Sequence, residues 1–402
     1  MSIKSRIIVF SDSYLPSHTS GGGVWTIVNL IERFADRYEF FVVTRNNDFK
    51  TNRQVYDGIR SDAWNDLGNA NVFYFSNENL NERKFLALIA EVQPDAIFLN
   101  SSLSTPTIKV LRARRKGALD ELPLILAPCG ELSEAALSLK AYKKKLFLTY
   151  ANSIDLYRGV IWKATSANER DEVKAVIKKD PEIMIAPDLT PKAILPDYDP
   201  AWKTPKATGA AHFVFLSRVM RKKNLGFFLK LLGESGKGNI EVDIIGQLED
   251  QGYWSECLSQ IEKFSDNIQV RALGSFPNRE ALELTARNHF FVLPTLDENF
   301  GYVFIEALAA GCPLLISDRN IWSGIEPNQV GWRMPLDRTD LWASALDQCV
   351  NMDQQEYDQM SGRCRAYSQE LLKQEDAEQA NVKVFERALG SNSKRGTVAL
   401  TR

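Results

Sequence analysis

The stretch LPTLDENFGYVFIEALAAGCPLL, residues 293–315, combines an apolar run, an acidic turn with a glycine and an alanine-rich helical pattern. We expect an apolar strand to end near Pro294 and a helix to begin at about Gly301. Glu298 and Glu306 stand eight positions apart, one before and one after that helix start. Ligands of open α/β sheets bind beyond the carboxyl ends of the strands, so the stretch predicts a binding site as well as a fold.

Short apolar runs alternate with helical patterns along most of the chain. Near-continuous apolar strands of this kind are typical of parallel sheets that helices cover on both faces. The pattern predicts strands at 6–10, 39–44, 72–75, 95–100, 123–128, 212–217, 240–246, 268–274, 289–295 and 313–317. It predicts helices at 23–37, 81–92, 105–116, 223–233, 251–264, 278–287 and 301–310. The predicted fold class is α/β, with two doubly wound Rossmann-like domains in series.

A chain of 402 residues is too long for one ordinary core, which favours two domains. The segment 185–211 contains five prolines and no periodic pattern, as expected of a connection between domains. The predicted division is an N-terminal domain at 1–195, a linker at 196–211, a C-terminal domain at 212–375, a final helix at 376–390 and a flexible tail at 391–402.

Composition excludes several classes of protein. The formal net charge is −2, so there is no overall attraction to nucleic acid or anionic lipid. No apolar run is long enough for a membrane span or a signal peptide. Five cysteines without metal-like spacing indicate reduced thiols and a cytoplasmic protein. The three scattered histidines predict no metal site.

Two further features follow predicted strands. Arg218 and Lys223 stand five positions apart where a helix opens, and an arginine with a lysine suits a diphosphate. Three glycines, Gly21 to Gly23, follow the first strand and permit close backbone approach to a ligand. They match neither G-x-G-x-x-G nor a P-loop. Taken singly, each feature also has a plain structural explanation, namely solvated acids, a solvated basic turn and a flexible glycine turn.

In combination they resemble a known family. Glu298 and Glu306 look like the E-x7-E signature of retaining glycosyltransferases with the GT-B fold, specifically glycosyltransferase family 4. Arg218 and Lys223 have that family's R-x4-K spacing, and the glycines match its N-terminal loop. Similarity to a bacterial polysaccharide-assembly branch extends through LNSSLS (99–104), APCGELSEAALSLKAYKKK (127–145), WKATSANERDEVK (162–174) and GW (331–332). The likeness covers roughly residues 5–390.

The resemblance implies a role for each matching residue. Arg218 and Lys223 would hold the diphosphate of a nucleotide-sugar and stabilise it as the leaving group. Glu298 would contact hydroxyls of the donor sugar, and Glu306 would bind the ribose hydroxyls. The resemblance also implies donor contacts by the backbone of Asn299, Phe300, Gly301, Tyr302 and Val303. Gly22 and Gly23 would approach the donor phosphates from the opposite wall of an interdomain cleft.

The implied enzyme is a metal-independent, retaining glycosyltransferase of EC class 2.4. Its donor would be a UDP- or GDP-sugar used as substrate, without a cofactor. Its acceptor would be a saccharide, carried on a lipid-linked precursor of a bacterial surface polysaccharide such as lipopolysaccharide or capsule, at the inner face of the cell membrane. Two alternatives remain: a non-catalytic GT-B partner subunit, and a nucleotide-sugar epimerase, for which His18 is the one histidine near the expected cleft.

Two residues depart from the polysaccharide branch. Cys129 stands where the branch has the arginine of A-P-R-G-E, and Lys163 where it often has the histidine of W-H-A-T-S. Either change would alter the acceptor side, unless a nearby cation compensates for it. Basic residues cluster at 111–117 and 140–146, either as solvated helix faces or as weak contacts to an anionic membrane or an acceptor pyrophosphate. The final helix would cross back to the N-terminal domain, as it does in the family.

Overall fold

The computed structural model describes residues 4–17, 21–48, 54–138 and 141–390. It divides into two units. Unit 1 comprises the chain up to Lys192 together with the segment from Gln374 onward, and unit 2 comprises Ala193–Lys373. The predicted tail at 391–402 lies outside the described residues.

Unit 1 is built on a sheet that has eight strands among the described residues, in the order β3-β4-β2-β1-β5-β6-β7-β8. Only β3 runs antiparallel to its neighbour within this part of the chain. The strands are β1 Ser5–Phe10, β2 Tyr38–Arg45, β3 Trp64–Asp66, β4 Ala70–Phe75, β5 Ala96–Asn100, β6 Leu124–Ala127, β7 Val160–Ala164 and β8 Glu182–Ile185. The helices between them are α1 Gly22–Phe34, α2 Glu82–Val92, α3 Thr105–Arg115, α4 Glu134–Ser138, α5 Ala141–Ser153 and α6 Ala167–Val176.

Unit 2 has a parallel sheet with the order β11-β10-β9-β12-β13-β14, six strands in the described chain. The strands are β9 Ala210–Leu216, β10 Asn239–Ile245, β11 Ile268–Gly274, β12 Phe290–Leu293, β13 Leu314–Ser317 and β14 Gly331–Met334. The helices are α7 Leu225–Ser235, α8 Gln251–Ile261, α9 Asn278–Arg287, α10 Tyr302–Ala309, α11 Thr339–Asn351 and α12 Gln354–Leu371. Short 3-10 turns span Pro200–Trp202 and Arg221–Lys223.

The last helix, α13 Glu375–Gly390, belongs to unit 1. Phe385 is buried, and its ring lies 4.9 Å from that of Tyr38 and 6.1 Å from that of Phe34. Arg33 of α1 forms an ion pair with Glu378. The helix therefore closes the face of the first sheet that α1 also covers.

Buried apolar strands account for both sheets. Every residue of β5, β6, β7, β12 and β13 is buried, as expected for parallel strands between two helical layers. In unit 1 the apolar side chains form two clusters that contain alternating strand residues, such as Ile8 and Phe10 in one and Ile7 and Val9 in the other. These clusters fill the two sides of the sheet.

The fold class predicted from sequence is confirmed, and all ten predicted strands are present. The predicted linker 196–211 lies within unit 2. Two lysines attach it there, since Lys203 donates to the carbonyl of Asn288 (2.6 Å) and the buried Lys206 donates to the carbonyl of Met352 (2.7 Å). Strand β9 also begins at Ala210, before the predicted start.

Candidate active site

The candidate site of unit 2 lies where strands β9 and β12 end. These strands are neighbours in register, with Phe213 beside Phe290, so their carboxyl ends meet at one edge of the sheet. Strands β10 and β11 follow β9 on one side of it in the sheet, whereas β12, β13 and β14 extend the sheet on the other side. Such a change of direction is where open α/β sheets bind ligands. Arg218 follows β9 and Glu298 follows β12, so the two predicted residues flank this point.

Close backbone contacts fix the turn that contains Arg218. A Cβ on Gly246, which has φ 142°, would lie 2.1 Å from the carbonyl oxygen of Ser217. Only glycine therefore permits this approach of β10 to the residue before Arg218. At the end of the turn, Asn224 adopts φ 59° and its amide donates to the carbonyl of Pro294 (3.0 Å).

The turn is also bonded to the loop after β12. The carbonyl of Lys222 accepts the backbone N–H of Leu296 (2.9 Å) and the hydroxyl of Thr295 (3.1 Å). The Lys222 ammonium lies 2.8 Å from the carboxylate of Asp297. Segments 218–224 and 294–298 thus form one hydrogen-bonded structure, which brings Lys223 and Glu298 together.

Lys223 and Glu298 form a direct ion pair, and both side chains are largely buried. Arg218 pairs instead with Glu249, a residue that was not predicted from sequence. Glu249 directly follows Leu248, which forms a parallel β-bridge with Val219. Both predicted phosphate-binding cations therefore have carboxylate partners in this structure. An incoming diphosphate would have to replace or share those partners.

A glycine sets the start of helix α10. Gly301 is its N-cap with φ 78°, and a Cβ there would lie 2.6 Å from the ring of Phe304. The side chains of Phe300 and Tyr302 are buried, and the carbonyl of Phe300 accepts the indole N–H of Trp322. The stretch from Asn299 to Val303 therefore lies around the N-terminus of α10, and its contact with a donor stays a prediction.

Glu306 lies on α10 and is partly buried rather than solvated. The amide of Asn278, the first residue of α9, donates to its carboxylate (2.9 Å). Burial raises the pKa of Glu306 above its usual value, and the bond from Asn278 partly opposes that shift. Asn278 was missed from sequence because α9 and α10 meet only through the tertiary fold.

In unit 1, the glycines lie at the start of α1. Gly21 is the N-cap with φ 70°, and Gly22 and Gly23 form the first turn of the helix instead of an open loop. The carbonyl of Gly23 accepts the amide of Asn100 (2.9 Å), whose oxygen accepts the thiol of Cys129 (3.1 Å). The contact of Gly22 and Gly23 with a donor stays a prediction.

Lys163 forms a buried ion pair. Its ammonium lies 2.7 Å from the carboxylate of Asp188, and the two side chains are 1% and 4% exposed. The hydroxyl of Thr26 on α1 donates to the same carboxylate (3.0 Å). This pair joins the carboxyl end of β7 and the segment after β8 to α1.

Cys129 is a poor nucleophile in this setting. Burial raises the pKa of its thiol well above the usual value, and the nearby carboxylates of Asp188, Glu169 and Glu131 act in the same direction. Lys163 opposes the shift but does not cancel it. Glu169 is itself held by the backbone N–H groups of Gly130 (2.6 Å) and Thr165 (2.7 Å).

The histidines in the described residues lie away from the site of unit 2. His212 is in the first half of β9 and His289 immediately precedes β12, so both lie toward the amino ends of those strands. Burial lowers the pKa of His289 to about 3, which keeps it neutral. His18 lies outside the described residues. Across the described ranges, no three His, Cys, Asp and Glu side chains form a group suited to a metal ion.

The two basic clusters of unit 1 differ. In 111–117, Lys116 pairs with Glu82 and the half-buried Arg114 donates to the carbonyl of Leu122 (3.4 Å). In 140–146, Lys143 and Lys145 are exposed on α5, and Lys140 lies outside the described residues. Among the described residues, no helix combines the length and apolarity that a bilayer crossing requires.

Comparison with known proteins gives a family match for one part of the chain. Residues 200–366 match the model described as glycosyl transferases group 1. That segment contains Arg218, Lys223, Glu298 and Glu306. No curated protein sequence is significantly similar to this chain.

Solved structures match nearly the whole chain. Sucrose-phosphate synthase from Thermosynechococcus elongatus has a TM-score of 0.69 at 16% identity, covering 96% of this chain and all of its own. Alr3699/HepE from Anabaena, solved with UDP-glucose, has a TM-score of 0.64 at 16% identity, covering 95% of this chain and 98% of its own. The fold is GT-B. At such identities the structures establish the fold alone.

WaaG, a glycosyltransferase involved in lipopolysaccharide biosynthesis, is a further GT-B match. Its TM-score is 0.61 at 13% identity, and the match covers 94% of this chain and 98% of WaaG. The group 1 domain in unit 2 and the GT-B fold of the chain together support a glycosyltransferase.

Proposed function

We propose that this GT-B protein is a retaining glycosyltransferase of family 4 that transfers a sugar from a UDP- or GDP-sugar. The observation that carries the proposal is the pairing of Lys223 with Glu298 at the carboxyl edge of β9 and β12, within the segment that matches group 1 glycosyl transferases. Arg218 lies in the connection after β9, and Glu306 lies on helix α10, which follows β12. HepE, of the same fold, was solved with UDP-glucose.

In this proposal Arg218 and Lys223 bind the donor diphosphate. Arginine offers a fork of N–H donors and lysine a compact charge, and both are held by a turn with little freedom. The N-terminus of α10 adds backbone N–H groups whose dipoles favour phosphate. Glu298 would then exchange its contact with Lys223 for hydroxyls of the donor sugar.

Glu306 is proposed to bind the ribose hydroxyls. Because its carboxylate is partly buried and held by Asn278, it would need no reorientation to accept two hydroxyl hydrogen bonds. Glu306 follows Gly301 by five residues, which is about 7.5 Å along a helix axis. That separation places it near the nucleoside when the diphosphate lies at the helix start.

The proposed reaction needs no metal and no side-chain base. Negative charge develops on the β-phosphate as the sugar–phosphate bond breaks, and the two fixed cations stabilise that charge. The acceptor hydroxyl would attack from the face that the diphosphate leaves, and a phosphate oxygen would take its proton. Configuration at the sugar carbon is then retained.

The proposed acceptor is a saccharide on a lipid-linked precursor of a bacterial surface polysaccharide. Support comes from the motif similarity to the polysaccharide branch, and WaaG has the same fold. Unit 1 would bind the acceptor at the cytoplasmic face of the membrane. Because Lys163 is paired with Asp188 and Cys129 carries no charge, neither replaces the arginine that the branch has at position 129.

The experiment is a transfer assay with a panel of UDP- and GDP-sugars and with saccharide acceptors, in which released nucleoside diphosphate and anomeric products are measured. Arg218→Gln, Lys223→Gln and Glu298→Gln should each lower kcat/KM at least tenfold. Arg221→Gln is the matched control, since Arg221 lies in the same turn but pairs with the exposed Glu256. Inverted product, epimerised donor, or equal losses in the control would overturn the proposal.

A further inference from the structure

A lysine amine and a cysteine thiol lie side by side inside unit 2. Lys203 Nζ is 3.1 Å from Cys312 Sγ, although the two residues stand 109 positions apart. Cys312 is fully buried and Lys203 is partly buried. Lys203 lies in the segment before β9 and Cys312 in the turn between α10 and β13, so only the tertiary fold brings them together. The proposed function gives neither residue a role.

Backbone carbonyl groups hold the two side chains in this arrangement. The carbonyl oxygen of Asn288 accepts the Lys203 ammonium (2.6 Å) and lies 3.3 Å from Cys312 Sγ. The carbonyl oxygen of Thr285 is also 3.3 Å from the sulfur. A thiol has one hydrogen and donates to one of these oxygens at a time. The nitrogen and the sulfur therefore converge on the same carbonyl group.

The turn that contains Cys312 has little freedom. Gly311 has φ 69°, and a Cβ there would lie 2.5 Å from the hydroxyl oxygen of Ser361. The carbonyl of Gly311 accepts the hydroxyls of Ser361 (2.7 Å) and Tyr357 (3.3 Å). The backbone N–H of Cys312 donates to the carbonyl of Ala307 (2.9 Å). These contacts keep the sulfur beside the amine.

The surroundings of the pair favour a nucleophilic nitrogen. Burial lowers the pKa of Lys203 below its usual value, which favours the neutral amine. Burial raises the pKa of the Cys312 thiol, and the charge of Lys203 opposes that shift. Cys129 differs, because three carboxylates raise the pKa of its thiol further. Lys203 thus partly offsets the effect of burial on Cys312 and supplies a nitrogen that can react.

We propose that Lys203 and Cys312 form a reversible covalent crosslink, a sulfenamide, when the protein is exposed to hydrogen peroxide. In the first step the sulfur takes one oxygen atom from the peroxide, the O–O bond breaks and water leaves, which gives a sulfenic acid. The sulfur is oxidised by two electrons and the peroxide is reduced. Lys203 Nζ then attacks the sulfur, the S–O bond breaks, and the hydroxyl leaves as water with one amine proton. Together the two side chains lose two hydrogen atoms.

The position of the amine favours this product over other fates of a sulfenic acid. The second step is intramolecular, between atoms that are already in contact. Burial slows the entry of peroxide, but it also keeps larger thiols away from the sulfenic acid. The rival nucleophile is the buried Cys364, whose thiol donates to the carbonyl of Val330 (3.7 Å). The crosslink would join the segment before β9 to the turn that follows α10.

The test is mass spectrometry of tryptic peptides from the full chain after incubation with millimolar hydrogen peroxide. Trypsin does not cut after a modified lysine, so the expected product joins segments 193–206 and 288–319. Its mass should equal the sum of the two peptides less two hydrogen atoms. Dithiothreitol added before digestion should release the free thiol and restore cleavage after Lys203.

Two variants identify the reacting groups. Lys203→Arg keeps a positive charge, but a guanidinium stays protonated and cannot attack the sulfur, so the linked peptides should be absent. Cys364→Ala removes the rival thiol and should leave the yield of linked peptides unchanged.

Cys349 is an internal control in the same digest. Burial raises the pKa of its thiol well above the usual value, and Lys206 opposes that shift. The Lys206 ammonium donates to the carbonyls of Val350 (3.1 Å) and Met352 (2.7 Å), so Cys349 should remain unlinked. Absence of the linked peptides from the oxidised unsubstituted protein would overturn the proposal. So would a disulfide of Cys312 in their place, or the same yield from protein unfolded in urea.

Discussion

The buried pair of Lys163 and Asp188 allows a prediction of magnitude. At 1% and 4% exposure, and with 2.7 Å between nitrogen and oxygen, the two charges are almost fully removed from water. Lys163→Met would leave Asp188 buried without a counter-charge, and the hydroxyl of Thr26 would still donate to its carboxylate. Removing one partner of such a pair costs about 3–5 kcal/mol.

The double variant Lys163→Met, Asp188→Leu should be less destabilised than the single variant. It removes the uncompensated charge and restores apolar packing, and replacement of a whole buried pair is often close to neutral. The exposed pair of Lys116 and Glu82 is the control, because breaking it should cost less than about 1 kcal/mol.

The measurement is hydrogen exchange on peptides that cover β7 and β8. The chain has two units, and two-state unfolding often fails for multi-domain proteins, so a local readout is used. Lys163→Met should lower protection in these peptides by about two to four orders of magnitude. Unchanged protection, or a double variant that exchanges faster than the single one, would contradict the cost expected for an unpaired Asp188.

Three further predictions concern unit 2. Glu249→Gln removes the partner of Arg218, so isothermal titration should show UDP or GDP binding about 1.5- to 5-fold tighter, from a pair worth about 0.2–1 kcal/mol; weaker binding would contradict competition. Asn278→Ala removes the hydrogen bond that positions Glu306, so it should weaken the binding of UDP or GDP and leave the binding of pyrophosphate unchanged. Equal losses for the nucleotide and for pyrophosphate would count against ribose binding by Glu306. Folding raises the pKa of Glu306. Ionisation of its carboxyl group therefore destabilises the folded state once the pH rises above the usual pKa of a glutamate. Glu306→Gln should therefore raise the Tm above that of the unsubstituted protein by more at pH 8 than at pH 4. The same difference in Tm at both pH values would exclude a raised pKa for Glu306.

The strands that define the fold were predictable because they are short, apolar and buried on both faces. The predictions for β11 and α9 agree with the structure at both ends. Strand β7 was missed although it is fully buried, since Lys163 interrupts its apolar run and only the pairing with Asp188 makes that lysine compatible with the interior. Strand β14 was missed because Gly331–Met334 is short and half polar.

The candidate site was predictable only in part, because some of its contacts come from elements that are distant in the sequence. Spacing along the chain identifies residues that one strand–helix connection presents, such as Glu298 and Glu306. It gives no information about Glu249 and Asn278, which reach the site from β10 and α9.

Binding of a nucleoside diphosphate by Arg218 and Lys223 can be tested by isothermal titration of UDP and GDP into the unsubstituted protein, Arg218→Gln, Lys223→Gln and Arg221→Gln. We predict that one nucleoside diphosphate binds, and that each of the first two substitutions weakens it at least tenfold, since a charge-assisted hydrogen bond contributes about 1.5–3 kcal/mol. Arg221→Gln should bind as the unsubstituted protein does. A folded protein that binds neither nucleotide, or equal losses in all three variants, would contradict the account.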